Sequence, residues 1–210
     1  FTAKNIIKNS NVKLICTTDN PEDDLHFHKQ IKDDTSFNVK VLPAFRPSKA
    51  VNIADKEYKN YIKKLEKVCG YSITSYKELL KALYDRIKFF NDMGCKTADH
   101  TLEEIIFVES TDKDLEIIFK KALNSETLST LEINQFSTKV LLDLTKEYYK
   151  YNWVLQIHFG CIRNLNTPMF KSLGPDTGFD AIKSYTNADN LAKFLDKMKE
   201  NNTLPKMVLY

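Results

Sequence analysis

Four side chains of types that do acid–base and anion-binding chemistry each follow a short apolar run: Arg46, Asp99, His158 and Arg163. The segment WVLQIHFGCIRN supplies two of them. Residues 153–157 are apolar and partly β-branched, so they read as a buried strand that delivers His158, then Gly160, then Arg163. A core histidine bonded to a backbone carbonyl would look the same in isolation. The arginines say more. Of 31 basic residues only Arg46, Arg86 and Arg163 are arginine, and two of those three directly follow predicted strands. A guanidinium's planar fork grips a carboxylate through two parallel hydrogen bonds, where lysine offers a point charge. The alternative is that each arginine ties a carboxylate of the fold itself, such as Asp19 or Asp99. Arg86 falls in the body of a predicted helix and is expected to tolerate lysine.

The elements that must position these groups alternate. Strands are predicted over 12–19 and 38–47, at the short stretch 94–101, over 153–157 and at the closing KMVLY. Between them come helices over 21–32, 55–68, 111–123, 128–151 and 187–201. Asn20 and Pro21 are expected to start the first, Gly70 to stop the second, and Ser75 with Glu78 to form a capping box for a further helix. Leu79, Leu80, Leu83, Ile87 and Phe90 lie on one face of that helix, which is core packing. Strands alternating with helices and lacking hairpin signals imply a parallel sheet. Polar residues follow each strand (Thr17, Thr18 and Asp19; Arg46; Asp99 and His100; His158 and Arg163), the arrangement of a (β/α) barrel with its site at the C-terminal face. The fold expected is therefore α/β, with a partial TIM-type barrel favoured over an open parallel sheet.

Composition bounds the partners. With 210 residues, 42% hydrophobic and 28% charged, the chain can bury one substantial core. A net charge of +3 spread along helices does not argue for nucleic acid. No apolar run is long enough to span a bilayer, so no membrane partner is expected. Cys16, Cys69, Cys95 and Cys161 show no metal-ligand spacing and read as free thiols, which predicts a cytoplasmic protein. The opening FTAKNIIKNS lacks Met and the close falls in an apolar run, which predicts a piece of a longer protein. Two open strand edges then predict a homo-oligomer.

The segments CTTDNPEDDLHFHKQI, VLPAFRPSKAVNI, GCKTADH, VLQIHFGCIRNLNTPMF and LGPDTGFD together resemble the uronate (glucuronate) isomerase family of the amidohydrolase superfamily. The resemblance runs from end to end. It implies residues 1–210 as the central part of one (β/α) barrel domain of the metal-dependent hydrolase kind, with 55–93 a helical insertion. It implies aldose–ketose isomerisation of hexuronates, D-glucuronate to D-fructuronate and D-galacturonate to D-tagaturonate. Arg46 and Arg163 would bind the substrate's carboxylate and hydroxyls. Asp99 would orient the site or a proton shuttle, and His158 would stand near a metal as ligand or hydrogen-bond partner.

The superfamily's metal pair and final aspartate have no counterpart in this sequence. His26 and His28 imitate the pair, but alternate residues on a helix point about 200° apart and cannot chelate one ion; that segment is expected to be a surface helix. One divalent metal, zinc or manganese, is therefore implied for the full-length protein, with none held tightly by this chain alone. Two other readings stand beside the isomerase: this chain as a catalytically inert structural piece, or the parent as another metal-dependent barrel hydrolase.

Overall fold

The computed structural model describes residues 2–102, 104–183 and 188–210. The chain runs through α1 (Ala3–Asn9), β1 (Leu14–Cys16), α2 (His26–Asp33), β2 (Lys40–Leu42), α3 (Ser48–Val51), α4 (Tyr58–Cys69) and α5 (Tyr76–Asp92). It continues through β3 (Thr97–Thr101), α6 (Asp112–Leu123), α7 (Thr130–Lys150), β4 (Val154–His158) and β5 (Cys161–Ile162). Then follow α8 (Thr167–Leu173), β6 (Ala181–Ile182), α9 (Ala188–Glu200) and β7 (Lys206–Leu209). The expected start of the last helix, Asn187, lies outside the described residues.

Strand pairing follows chain order. β1 pairs parallel with β2 in the register Leu14↔Lys40. β3 pairs parallel with β4 at Thr97↔Val154, and β4 with β7 at Val154↔Lys206. Phe45 joins the two groups by parallel bridges to Asp19 on one side and Ala98 on the other. Its N–H donates to the Thr97 carbonyl at 3.0 Å, and its own carbonyl accepts from Asp99 N–H at 2.9 Å. The result is one parallel series, β1–β2–β3–β4–β7, which does not close on itself among the described residues.

Side chains alternate across that series, and this alternation positions the site. Phe45, Ala98, Leu155 and Ile157 are buried against the helices. Their neighbours Arg46, Asp99 and His158 therefore project from the opposite face. The Phe45 ring packs against Phe90 (5.1 Å between centroids), Trp153 (6.0 Å) and Tyr148 (6.3 Å), and Tyr148 stacks on Trp153 at 5.7 Å. One contiguous apolar cluster extends from Leu25 to Met198 and takes in Tyr58, Leu65, Leu79, Leu83 and Phe90.

Helix ends follow sequence chemistry. α4 stops at Gly70, whose φ of 77° is the left-handed geometry glycine adopts without strain. Ser75 caps α5 by accepting Glu78 N–H at 3.2 Å, but the Glu78 carboxylate turns to Thr74, so the expected capping box is half formed. Complete boxes stand at Thr111 with Asp114 and at Ser129 with Glu132.

Three expectations are corrected. The helix expected over 21–32 begins at His26, because a turn at Pro21 and Glu22, closed by Asp23 N–H donating to the Asn20 carbonyl at 3.0 Å, takes its first residues. Asp23 accepts Asn20 N–H at 2.8 Å, and Arg86 occupies the Pro21 and Asp23 carbonyls (2.6 and 2.7 Å) that would otherwise open the helix. Leu25, at φ 55°, marks the break. α2 is the surface helix expected, with six of its eight residues exposed, and only His28 turns inward on it. The absence of hairpin signals did not exclude antiparallel pairing: β5 and β6 pair that way, Cys161 with Ile182. Arg86, expected to tolerate lysine, is 9% exposed, with its guanidinium 4.1 Å from the Phe89 ring centre as well as bonded to two carbonyls. The four cysteines are free thiols. No helix among the described residues is long and apolar enough to cross a membrane.

Candidate active site

Three of the four residues singled out from sequence come together on the face opposite the core. Asp99 is their centre. Its Oδ2 lies 3.3 Å from Arg46 Nε, and its Oδ1 lies 3.1 Å from His158 Nε2. Both are charge contacts without hydrogen-bond alignment, and Oδ1 is in addition a buried oxygen without a hydrogen-bond partner. Asp99 is 6% exposed, whereas the side chains of Arg46 and His158 are 33% and 39% exposed. A buried carboxylate thus holds a guanidinium and an imidazole that both reach solvent. Arg46 Nη2 also donates to Thr101 Oγ1. Thr101 is two residues beyond Asp99, hence on the same face of β3, and lies directly across from His158 in the β3–β4 register.

Two rings complete the surroundings. Tyr210 stacks on His158 at 4.4 Å with the planes 13° apart, and its hydroxyl donates to Gln156 Oε1 at 3.4 Å. On the helix side of β3, His100 Nε2 lies 3.0 Å from the Tyr148 hydroxyl. Burial pushes the His100 pKa down to about 3, with the Arg46 charge acting in the same direction, so this ring is neutral near pH 7.

Arg163 stands apart from the Asp99 group. Its Nη1 donates to Asp180 at 2.6 Å, and Asp180 also accepts Asn164 N–H at 3.0 Å. This pair ties the β5 strand to the loop before β6. Arg163 nevertheless lines a cavity of about 820 Å3 together with Thr101, His100, Ile105, Ser137 and Phe194. The alternative reading of the arginines, as ties to carboxylates of the fold, thus describes Arg46 with Asp99, while Arg163 takes Asp180 instead.

The histidines of α2 separate as helix geometry demands. His26 is exposed and bonds to Asp24 at 2.6 Å. His28 turns inward, its Nε2 2.8 Å from Thr17 Oγ1, which donates to Asp19 at 2.6 Å. Alternation along β1 puts Thr17 and Asp19 on the helix side of the strand, with Phe45. Asp19 is therefore not part of the Asp99 group despite its strand-end position.

Sequence reasoning missed Thr101, Gln156, Tyr210 and the inward turn of His28. The two-residue spacing from Asp99 to Thr101 and from Gln156 to His158 was the available signal for two of them. A divalent catalytic metal needs at least three protein ligands. Among the described residues no three His, Cys, Asp or Glu side chains converge on one point. His158 and the free oxygen of Asp99 offer two donors, so the residues present do not by themselves fit a metal centre.

The glucuronate isomerase family matches residues 1–210. The uronate isomerase of Staphylococcus haemolyticus is 47% identical over 210 residues, which are 100% of this chain and 45% of that protein. That of Caldanaerobacter subterraneus subsp. tengcongensis is 43% identical over the same shares. The crystal structure of a uronate isomerase from Thermotoga maritima superposes with a TM-score of 0.90 at 29% identity, covering 100% of this chain and 46% of that one. A glucuronate isomerase from Caulobacter crescentus shares the fold at a TM-score of 0.85 and 23% identity. The chain spans about 45% of the length of the relatives it matches. Matched over its whole length and carrying its polar groups at the ends of consecutive parallel strands, this chain belongs to the glucuronate isomerase family.

Proposed function

We propose that the protein containing this chain interconverts an aldose and a ketose hexuronate, D-glucuronate with D-fructuronate or D-galacturonate with D-tagaturonate. The reaction moves a proton from C2 to C1 through an enediol-like intermediate. It needs a group that takes and returns that proton, a cation for the substrate carboxylate, and donors for the charge that develops on oxygen. The single observation that carries the reading is Asp99, held between Arg46 and His158 with one buried oxygen free of hydrogen bonds.

In this reading Arg46, anchored at Nε and partly exposed, meets the substrate's carboxylate or hydroxyls. Asp99 orients Arg46 and His158, or passes the proton between His158 and substrate. Arg163, on the cavity wall, binds the far end of the sugar acid after giving up part of its hold on Asp180. We also propose that the parallel series β1–β2–β3–β4–β7 is an arc of a (β/α) barrel; the chain-order pairing and the single-sided placing of polar groups support this. Zinc or manganese, if the full-length protein holds it, draws ligands from outside this chain, and no step above depends on it.

The test is to incubate the full-length protein with each hexuronate and follow the keto sugar. Conversion of either is expected. Absence of ketose from both, with folded protein, would falsify the reading.

A further inference from the structure

We propose that Thr101 is a positioning residue for Arg46: it fixes the guanidinium in the orientation that meets the substrate carboxylate, a role that rests on the isomerase reading above. Arg46 is held at two points on one strand. Its Nε faces Asp99 Oδ2 at 3.3 Å and its Nη2 donates to Thr101 Oγ1. Asp99 and Thr101 stand at alternate positions of β3, so both project from the same face. One anchor would leave the fork free to swing about its long stem. Two anchors along the strand hold its plane and leave the remaining donors to the partly exposed side.

Threonine suits this task. Its β-branch stiffens χ1, so the accepting oxygen is itself held in place. The hydroxyl accepts from Arg46 and keeps its own hydrogen to donate.

The place of Thr101 adds a second argument. It lies across from His158 in the β3–β4 register, bonds Arg46, and lines the 820 Å3 cavity that Arg163 also lines. Thr101 is therefore where the Asp99 group meets the wall that carries Arg163.

The experiment compares Thr101→Val, which keeps the shape and removes the acceptor, with Thr101→Ser, which keeps the acceptor, in the full-length protein. A clamp that acts alike on bound substrate and transition state shows in KM and spares kcat. Thr101→Val is expected to raise hexuronate KM roughly tenfold, as loss of a hydrogen bond to a charged group does, with kcat within about twofold. Thr101→Ser should restore most of the KM, and Thr101→Val should add nothing in an Arg46→Ala background. Unchanged KM in Thr101→Val, or a loss in kcat and stability that serine does not rescue, overturns the proposal. If wild type turns over neither hexuronate, the isomerase reading fails on its own. The rotation of the Arg46 guanidinium, followed by NMR of arginine-labelled protein, then decides the anchoring: slow in wild type and Thr101→Ser but fast in Thr101→Val supports it, and equal rates in all three refute it.

Discussion

Asp99 is nearly buried, faces a guanidinium and an imidazole, and still leaves one oxygen without a hydrogen bond. Leaving such an atom unsatisfied is destabilising by about 1–3 kcal/mol in an ordinary interior, and five other buried side-chain atoms among the described residues, Thr97 Oγ1 of the same strand included, share that state. Arg86 shows the opposite use of the same chemistry. Every identified contact of its guanidinium is internal: the Pro21 and Asp23 carbonyls and the rings of Phe89 and Phe90. Arg86→Lys should lower stability by about 1–3 kcal/mol, because an ammonium on a flexible stem does not reproduce a fork that reaches two carbonyls at once. Chemical denaturation measures this, and an unchanged midpoint would mean the turn holds itself. From sequence the two kinds of arginine were only half distinguishable. Arg46 was legible because it ends a strand, where side chains meet solvent. Arg86 was not, because a helix body position does not reveal a loop folded against it from about sixty residues away. The Arg163–Asp180 pair was hidden for a similar reason, the two segments being brought together by the β5–β6 pairing and the loop bonds beside it.

Phe45 decides most at the scale of elements. It bridges β1 to β3 through its backbone and fills the space between Phe90, Tyr148 and Trp153 with its ring. Phe45→Ala is expected to remove about 3–5 kcal/mol of stability. It should also impair Arg46 function more than its distance from substrate suggests, since the two residues are adjacent on one bridge. Denaturant titration together with KM would check both. Long helices were legible here: the apolar stripe of α5 and the caps of α6 and α7 say the same thing locally as the fold says globally. The start of α2 was not, because Pro21 and the acidic residues after it satisfy helix-start rules, and only a tertiary donor, Arg86, diverts them into a turn. Strands of two residues, such as β5 and β6, carry no periodicity at all. Gly94 is similarly tertiary in meaning: at φ 96°, with Leu42 Cδ2 only 3.1 Å from where a Cβ would stand, it lets the chain turn from α5 into β3 beneath β2.

For the molecule as a whole, His100 ties stability to acidity. Its folded pKa is about 3, because burial and then the charge of Arg46 disfavour the imidazolium, while the unfolded chain binds that proton near pH 6.5. The folded-state value is depressed, so the contribution of His100 is complete above about pH 6.5 and drains away as pH falls from there toward 3. The slope approaches about 1.4 kcal/mol per pH unit once the unfolded ring is fully protonated. His100→Phe should flatten that part of the profile between about pH 6 and pH 4.5, and a wild-type curve with no such slope would count against it. The chain-order pairing of β1, β2, β3, β4 and β7 has a consequence for synthesis. Within this series each strand after β1 emerges from the ribosome with its upstream partner already made, whereas β5 must wait for β6. Domains assemble from the N-terminal end during elongation at roughly 5–20 residues per second. The nascent sheet therefore grows strand by strand along its downstream edge.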